Sequence, residues 1–303
     1  DDGLLPQEWE QADLVLAVSR DVGGGLAFPP GESLAGLAIF GASALKQFVA
    51  PGALGFDLLL HEIGHLLGLA HPHDDGGRSD IMDGVAGSDD PGLFFLNQGV
   101  FTMMSYRLGW ADGPDGPPRD RKSGYLTGPA ALDIAVLQSK YGANADHAPG
   151  DDVYVLPDVG DPVVGFRAIW DTGGTDTIRH DGEGASTIDL APASLNYDHA
   201  GGGSVSHADG VRGGYTIAAG VVIENAVGGR GDDWIGGNGA ANAGTGATIR
   251  CQAAPAMTNC SAGPAATGSP AAAAGTACSA TPVPIRFPEA RRATLSTARV
   301  ETT

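Results

Sequence analysis

The sequence predicts an α+β protein built from two unlike parts, and three observations carry that prediction. Between residues 55 and 68, leucines and two histidines four residues apart have the spacing of a helix. Beyond residue 146, short apolar segments separated by Asp/Gly turns read as strands. Residues 228–236, Gly-Gly-Arg-Gly-Asp-Asp-Trp-Ile-Gly, fit the nine-residue unit of a parallel β coil, in which glycines make the turn and Ile235 points inward.

The elements follow in chain order. Asp13–Val18 reads as a strand, and a second extended segment covers Leu37–Phe40. The helix at 55–68 has Leu58, Leu59, Leu60, Ile63, Leu66, Leu67 and Leu69 as its apolar surface. His71–Gly77 opens a polar loop, in which His73 and the neighbouring acids are solvated, support the ligands or hold calcium. Pro129–Tyr141 reads as a second helix, with Leu132, Ile134, Val136, Leu137 and Tyr141 as its apolar positions and Gly142 as its stop.

The chemistry is concentrated in His61-Glu62-Ile63-Gly64-His65-Leu66-Leu67-Gly68-Leu69-Ala70-His71. His61 and His65 share one helix face and can grip one metal. Gly68 permits a turn out of the helix, which lets the chain return His71 as a third ligand. Three imidazoles leave one zinc position open for water, the mark of a catalytic site. Glu62 is placed to take a proton from that water.

Composition agrees. The chain has 303 residues, room for two domains, and a net charge of −19 with 48 glycines and 17 Lys+Arg. Nothing basic is clustered enough to neutralise phosphates, so a nucleic-acid partner is excluded; the acidic, glycine-rich balance suits calcium. No apolar run reaches membrane-spanning length, and Asp1–Pro6 does not read as a signal peptide. Three cysteines, Cys251, Cys260 and Cys278, form no disulfide framework. The chain is expected to be a monomer.

Downstream of the histidines lies Phe101-Thr102-Met103-Met104-Ser105-Tyr106. Here the chain resembles the metzincin zinc endopeptidases, and the Met-Ser-Tyr order resembles the serralysin branch. The resemblance implies a partial metzincin catalytic domain over residues 1–145, beginning after the family's first strand and long helix. It implies an apolar floor at Met104, with Met103 the competing candidate, and a switchable extra zinc ligand at Tyr106 that stabilises the oxyanion. It also implies an edge strand just before the zinc helix, along which substrate polypeptide lies; Leu37–Phe40 is the candidate.

Residues 132–144 look like the segment that joins the family's catalytic domain to a calcium-binding β domain, here residues 146–242. Trp170–Ile178, Gly150–Asp152 and Val222–Ala226 match its calcium loops. By that match, Asp152, Asp171, Gly173, Gly174, Asp176 and Glu224 supply calcium oxygens, as do Gly231 and Asp233 in the nonapeptide. The fold expected there is a partial parallel β-roll or β-sandwich. The implied activity is zinc- and calcium-dependent cleavage of polypeptides outside the cell, after one-step export that reads a C-terminal signal. An inactive fragment of such a protease, or a calcium-binding β-roll protein without catalysis, is the alternative.

From about Ala243 the text turns to Ala, Pro, Thr and Ser, with five Arg against two Glu. Yet Cys251, Cys260, Ser269 and Cys278 recur every nine residues, as do Ile249, Thr258, Thr267, Thr276 and Ile285. Read from the third base of each codon, alanine is compatible with glycine, threonine with aspartate and cysteine with leucine. The expectation is a frameshift near residue 243 that turned further β-roll repeats into a structureless tail and displaced the export signal.

Overall fold

The computed structural model describes residues 12–46, 49–75, 79–240 and 242–246, and the backbone of 248–252 and 257–262. The first part carries strands β1 (Val15–Ser19), β2 (Gly25–Ala27) and β3 (Leu37–Gly41), the short helix α1 (Ala42–Leu45) and the helix α2 (Leu54–Leu66). A 3-10 turn (Leu93–Phe95), β4 (Tyr125–Leu126) and helix α3 (Ala131–Tyr141) follow. The first sheet has the order β1-β3-β2, with β3 parallel to β1 and antiparallel to β2.

That order corrects one expectation. Leu37–Phe40 is the central strand and has no free edge; the edge nearest α2 is β2. Leu37, Ala38 and Phe40 are buried, and a strand covered on both faces reads as an unbroken apolar run. Ala38 and Phe40 pack with Leu66 of α2, fixing the helix against the sheet.

The second part contains β5 (Val153–Val155), β6 (Gly165–Ile169), β7 (Thr177–Arg179), β8 (Ser186–Asp189), β9 (His207–Ala208), β10 (Gly214–Ile217), β11 (Asn225–Val227) and β12 (Asp232–Gly236). After these come β13 (Asn242–Gly246), β14 (Thr248–Gln252) and β15 (Met257–Ala262). One parallel sheet runs β15-β13-β11-β7-β5; the other runs β14-β12-β8-β9, with β9 antiparallel. From β11 to β15, successive strands alternate between the two sheets, so the chain coils. Ile178, Ile188, Leu190, Ile217, Ile223 and Ile235 fill the space between them and are fully buried. Ile235 thus points into the coil as the nonapeptide predicts.

The expected structureless tail differs over part of its length: the backbone of 248–252 and 257–262 pairs in parallel with β12 and β13. Backbone pairing needs only N–H and C=O groups, so a parallel edge accepts a further strand whatever its side chains. Residues 263–303, and the recurring Thr267, Ser269, Thr276, Cys278 and Ile285 with them, lie outside the described residues.

The two parts are joined through their interiors. β4 pairs with β6, and Phe166 and Val205 pack with Leu69, Leu96, Met103, Met104 and Leu126 beneath the histidines. In α3, Ile134 is buried as expected, whereas Val136 and Tyr141 are exposed; the Tyr141 hydroxyl donates to Leu67 O at the end of α2. The fully sequestered polar residue of α3 is Asp133.

Candidate metal centre and catalytic cleft

Helix α2 ends in a Schellman turn that delivers the third histidine. Gly68 adopts φ +77°, a value glycine tolerates without a Cβ penalty. Its N–H bonds to His65 O at 2.9 Å, and Leu69 N–H bonds to Gly64 O at 2.9 Å. The chain reverses and brings His71 over the helix.

The three imidazoles converge by one nitrogen each. His71 Nε2 lies 3.1 Å from His61 Nε2 and 3.0 Å from His65 Nε2. The opposite nitrogens face fixed acceptors: His61 Nδ1 lies 2.8 Å from Met103 O, His65 Nδ1 3.0 Å from Leu69 O, and His71 Nδ1 2.5 Å from Asp74 Oδ2. A carbonyl or carboxylate holds the proton on each Nδ1, so three Nε2 lone pairs point at one place. Lone pairs at that spacing repel unless a cation sits among them. Tetrahedral zinc with bonds of about 2.0–2.1 Å separates its nitrogens by roughly 3.3 Å, close to the observed spacing. The donor set therefore fits a zinc ion, which His61, His65 and His71 would hold. Burial, reinforced by the neighbouring imidazoles, lowers the His61 pKa to about 4, and burial lowers that of His65, so both are neutral and ready to ligate.

Glu62 is buried on the same helix, and its carboxylate lies against β2. A Cβ added to Gly25 would sit 2.2 Å from Glu62 Oε1, so glycine makes room for the acid. Burial pushes the Glu62 carboxyl up to about 7, a range in which it can accept and return a proton near neutrality. A nearby dication would pull it back down.

Both methionines of the turn pack on α2. A Cβ on Gly64 would lie 2.5 Å from Met104 Sδ and 2.9 Å from Met103 Cε. Met104 is buried under the histidines, and Met103 also supplies the carbonyl that orients His61. The Tyr106 ring stands 4.8 Å from that of His71 and 5.6 Å from that of His61. It is half exposed, at 50%, and burial followed by the Glu62 and Asp74 charges raises its pKa, which keeps the hydroxyl a donor. His73 is not a plain solvated residue: it stacks on His71 at 5.0 Å and lies 4.8 Å from Tyr106. All these groups except Met103 and His73 line one cleft of about 1210 Å³, bounded by β2, Pro29 and Pro30 and by residues 79–82.

In the second part, Asp152, Asp171 and Asp176 present carboxylate oxygens within 4.8 Å of one another. Asp176 is fully buried, and its Oδ2 has no hydrogen-bond partner. Glu224 lies alongside, accepting the Asp176 N–H at 2.8 Å, and Gly173 N–H donates to Asp171 Oδ1. Gly174 passes so close to Gly150 O that a Cβ would overlap it. Three gathered carboxylates with an orphaned buried oxygen fit a hard cation such as calcium. Asp233 lies elsewhere, bonded through Oδ1 to Ser186 N and Oγ with Oδ2 unpartnered, and Gly231 packs on Gly184.

Sequence reasoning missed several groups. Asp74 is not one of them: support of the ligands is an open reading for the acids beside His73, and Asp74 takes that role at His71 Nδ1. Asp57 is buried one helical turn before His61, and that spacing was a usable signal. Met103 O and Leu69 O are backbone groups that no sequence pattern marks.

Comparison with known proteins agrees with this geometry. Residues 5–72 match the family model for metallo-peptidase family M12B, reprolysin-like, and residues 130–249 match that for the peptidase M10 serralysin C terminal. A serralysin of Photorhabdus laumondii is 34% identical over 209 residues, 65% of this chain and 40% of that protein. Serralysin G of Dickeya chrysanthemi is 36% identical over 196 residues, 61% and 36%. A serralysin of Proteus mirabilis is 32% identical over 226 residues, 70% and 42%. The chain thus spans about two fifths of the length of the curated relatives it matches. A catalytic-type segment bearing the histidine triad, followed in order by a serralysin C-terminal segment, makes this chain a member of the serralysin family of zinc metalloendopeptidases.

Proposed function

We propose that this chain is a zinc-dependent endopeptidase that cuts extended polypeptides internally. The observation that carries the reading is the convergence of three Nδ1-anchored imidazoles beside a buried glutamate on the edge-strand side of an open cleft.

Among the described residues, strand β2 is paired to β3 along one edge and to no strand along the other. An extended peptide laid along that edge satisfies both backbones and crosses in front of Glu62. Zinc, when bound by His61, His65 and His71, supplies Lewis acidity that acidifies water and polarises a carbonyl. Glu62 takes the proton from the attacking water and returns it to the departing amine. The Tyr106 hydroxyl donates a hydrogen bond to the oxygen on which charge develops. Met104 fills the space beneath the ligands and keeps their geometry tight.

Asp152, Asp171 and Asp176, with Glu224 beside them, hold calcium in the same reading, and Asp233 with its glycine turn is a second place for it. Secretion is part of the proposal. Among the described residues, no helix is long and apolar enough to cross a membrane.

The test is casein cleavage by the purified chain with zinc and calcium supplied, beside Glu62→Ala, with bound zinc counted in both. Cleavage by the parent alone, at equal zinc content, is expected. Zinc-loaded parent without cleavage would leave the calcium-binding reading instead.

A further inference from the structure

The cleft is not built from the first part alone. Tyr197, from the loop that follows β8, lines it together with the histidines, Glu62 and Tyr106. Its hydroxyl accepts the Asp83 N–H at 3.3 Å, tying that loop to the residue that follows Met82 of the cleft wall. The loop is tied together by its own side chains. Asp198 Oδ1 accepts from Ser194 Oγ and Ala200 N, and Ser194 Oγ accepts from Asn196 N.

The rim around Tyr197 is apolar, exposed and strained. Tyr197 is 48% exposed, Leu195 47% and Phe94 38%. Phe94 meets His199 edge to face at 4.9 Å, which joins the rim's two loops. Among the described residues, four that are not glycine have positive φ, and three of them lie here: Phe94 at 55°, Phe95 at 62° and Leu195 at 57°. Such backbone is strained and tends to persist where a side chain must be aimed. Here the aimed side chains face water, although each is large and apolar. Tyr197 belongs to the cleft lining, and an exposed apolar patch beside a cleft is a place where a ligand side chain can bind.

We propose that Tyr197, with Phe94 on the rim beyond it, forms an apolar subsite of the cleft that takes an aromatic or large aliphatic side chain of the substrate polypeptide. The proposal rests on the endopeptidase reading above. The occupant is a side chain of an extended peptide because β2 already offers the backbone edge in the same cleft, leaving side chains to choose the walls.

The test uses quenched fluorescent peptides that are polar except at one position, which carries Phe, Leu or Ser and is moved along the sequence. Zinc-loaded parent, Tyr197→Ala and Tyr197→Phe are compared by kcat/KM. At one position the parent prefers Phe and Leu over Ser by roughly tenfold, the worth of a buried side chain in such a pocket. Tyr197→Ala loses that preference, and Tyr197→Phe, which keeps the ring, retains it. A Tyr197→Ala enzyme that still prefers Phe, or one slowed equally on all peptides, overturns the subsite. Anisotropy titration of the Phe and Ser peptides onto zinc-loaded Glu62→Ala separates the two claims. A parent that cuts nothing ends the endopeptidase reading, whereas equal binding of both peptides ends the subsite.

Discussion

At the residue scale, the three histidines differ in what holds them. His61 and His65 are oriented by backbone carbonyls, which no substitution of a partner side chain removes; His71 is oriented by Asp74. Asp74→Ala is therefore expected to weaken zinc binding by roughly 10–100-fold, the usual cost of losing an outer partner of a ligating histidine. Competition against a chromophoric chelator measures it, and unchanged affinity would remove Asp74 from the centre. Gly25 makes the matching prediction for the acid. A methyl group there overlaps Glu62 Oε1, so Gly25→Ala should keep zinc and lose roughly 100-fold in turnover through displacement of the base. Zinc content and casein cleavage measured together check this; full activity would mean that the carboxylate has room to move.

At the element scale, α2 buries polar groups beside its apolar contacts: Asp57, His61 and Glu62 are sequestered along with Leu66, while Leu58–Leu60 are half covered. Asp57 accepts Leu126 N–H at 3.1 Å and so ties the helix to β4. Burial outweighs that bond and raises the Asp57 pKa from 3.8 to about 7. The folded chain then holds a proton that the unfolded chain releases between those values. The neutral acid's contribution is full below the unfolded pKa and falls as pH rises through the folded one. Asp57→Asn removes this slope, so the parent should lose stability relative to the variant as pH rises from about 4 to about 7. Urea titrations across that range decide it, and parallel curves would contradict the burial account. Asp133 binds α3 to the methionine turn by accepting from Thr102 Oγ1, Met103 N and Ala130 N. Asp133→Ala strands those donors and should cost about 3 kcal/mol, read from the same titrations. The helices were legible because their apolar spacing is local. The substrate edge was not: the last strand before α2 in sequence lies in the middle of the sheet, and pairing order is a long-range property.

At the scale of the whole molecule, the two parts share the β4–β6 pairing and one core beneath the histidines. A calcium-selective chelator is expected to speed proteolysis within residues 146–242 of the zinc-loaded chain, with Asp176→Asn producing the same pattern without chelator. A cutting pattern indifferent to both would take calcium out of the account. Asp152, Asp171 and Asp176 come together from segments some twenty residues apart, with Asp176 buried and its Oδ1 accepting the Asp152 N–H. Spacing alone gives such acids no preference over ordinary turn residues; here matching motifs singled them out, and folding brought them within reach of one cation.

By itself the sequence determined the donor chemistry: which residues can bind zinc, which acid stands beside them and where a glycine lets the third histidine return. Those features are local, because a helix and its terminal turn lie within about a dozen residues and their geometry follows from spacing. Only the tertiary structure decided which strand edge faces Glu62, which carbonyls and carboxylate orient the imidazoles, and that a tyrosine more than a hundred residues downstream lines the same cleft. Those contacts join segments far apart in the chain. Their formation depends on how sheets and cores pack, which no local pattern of residues encodes.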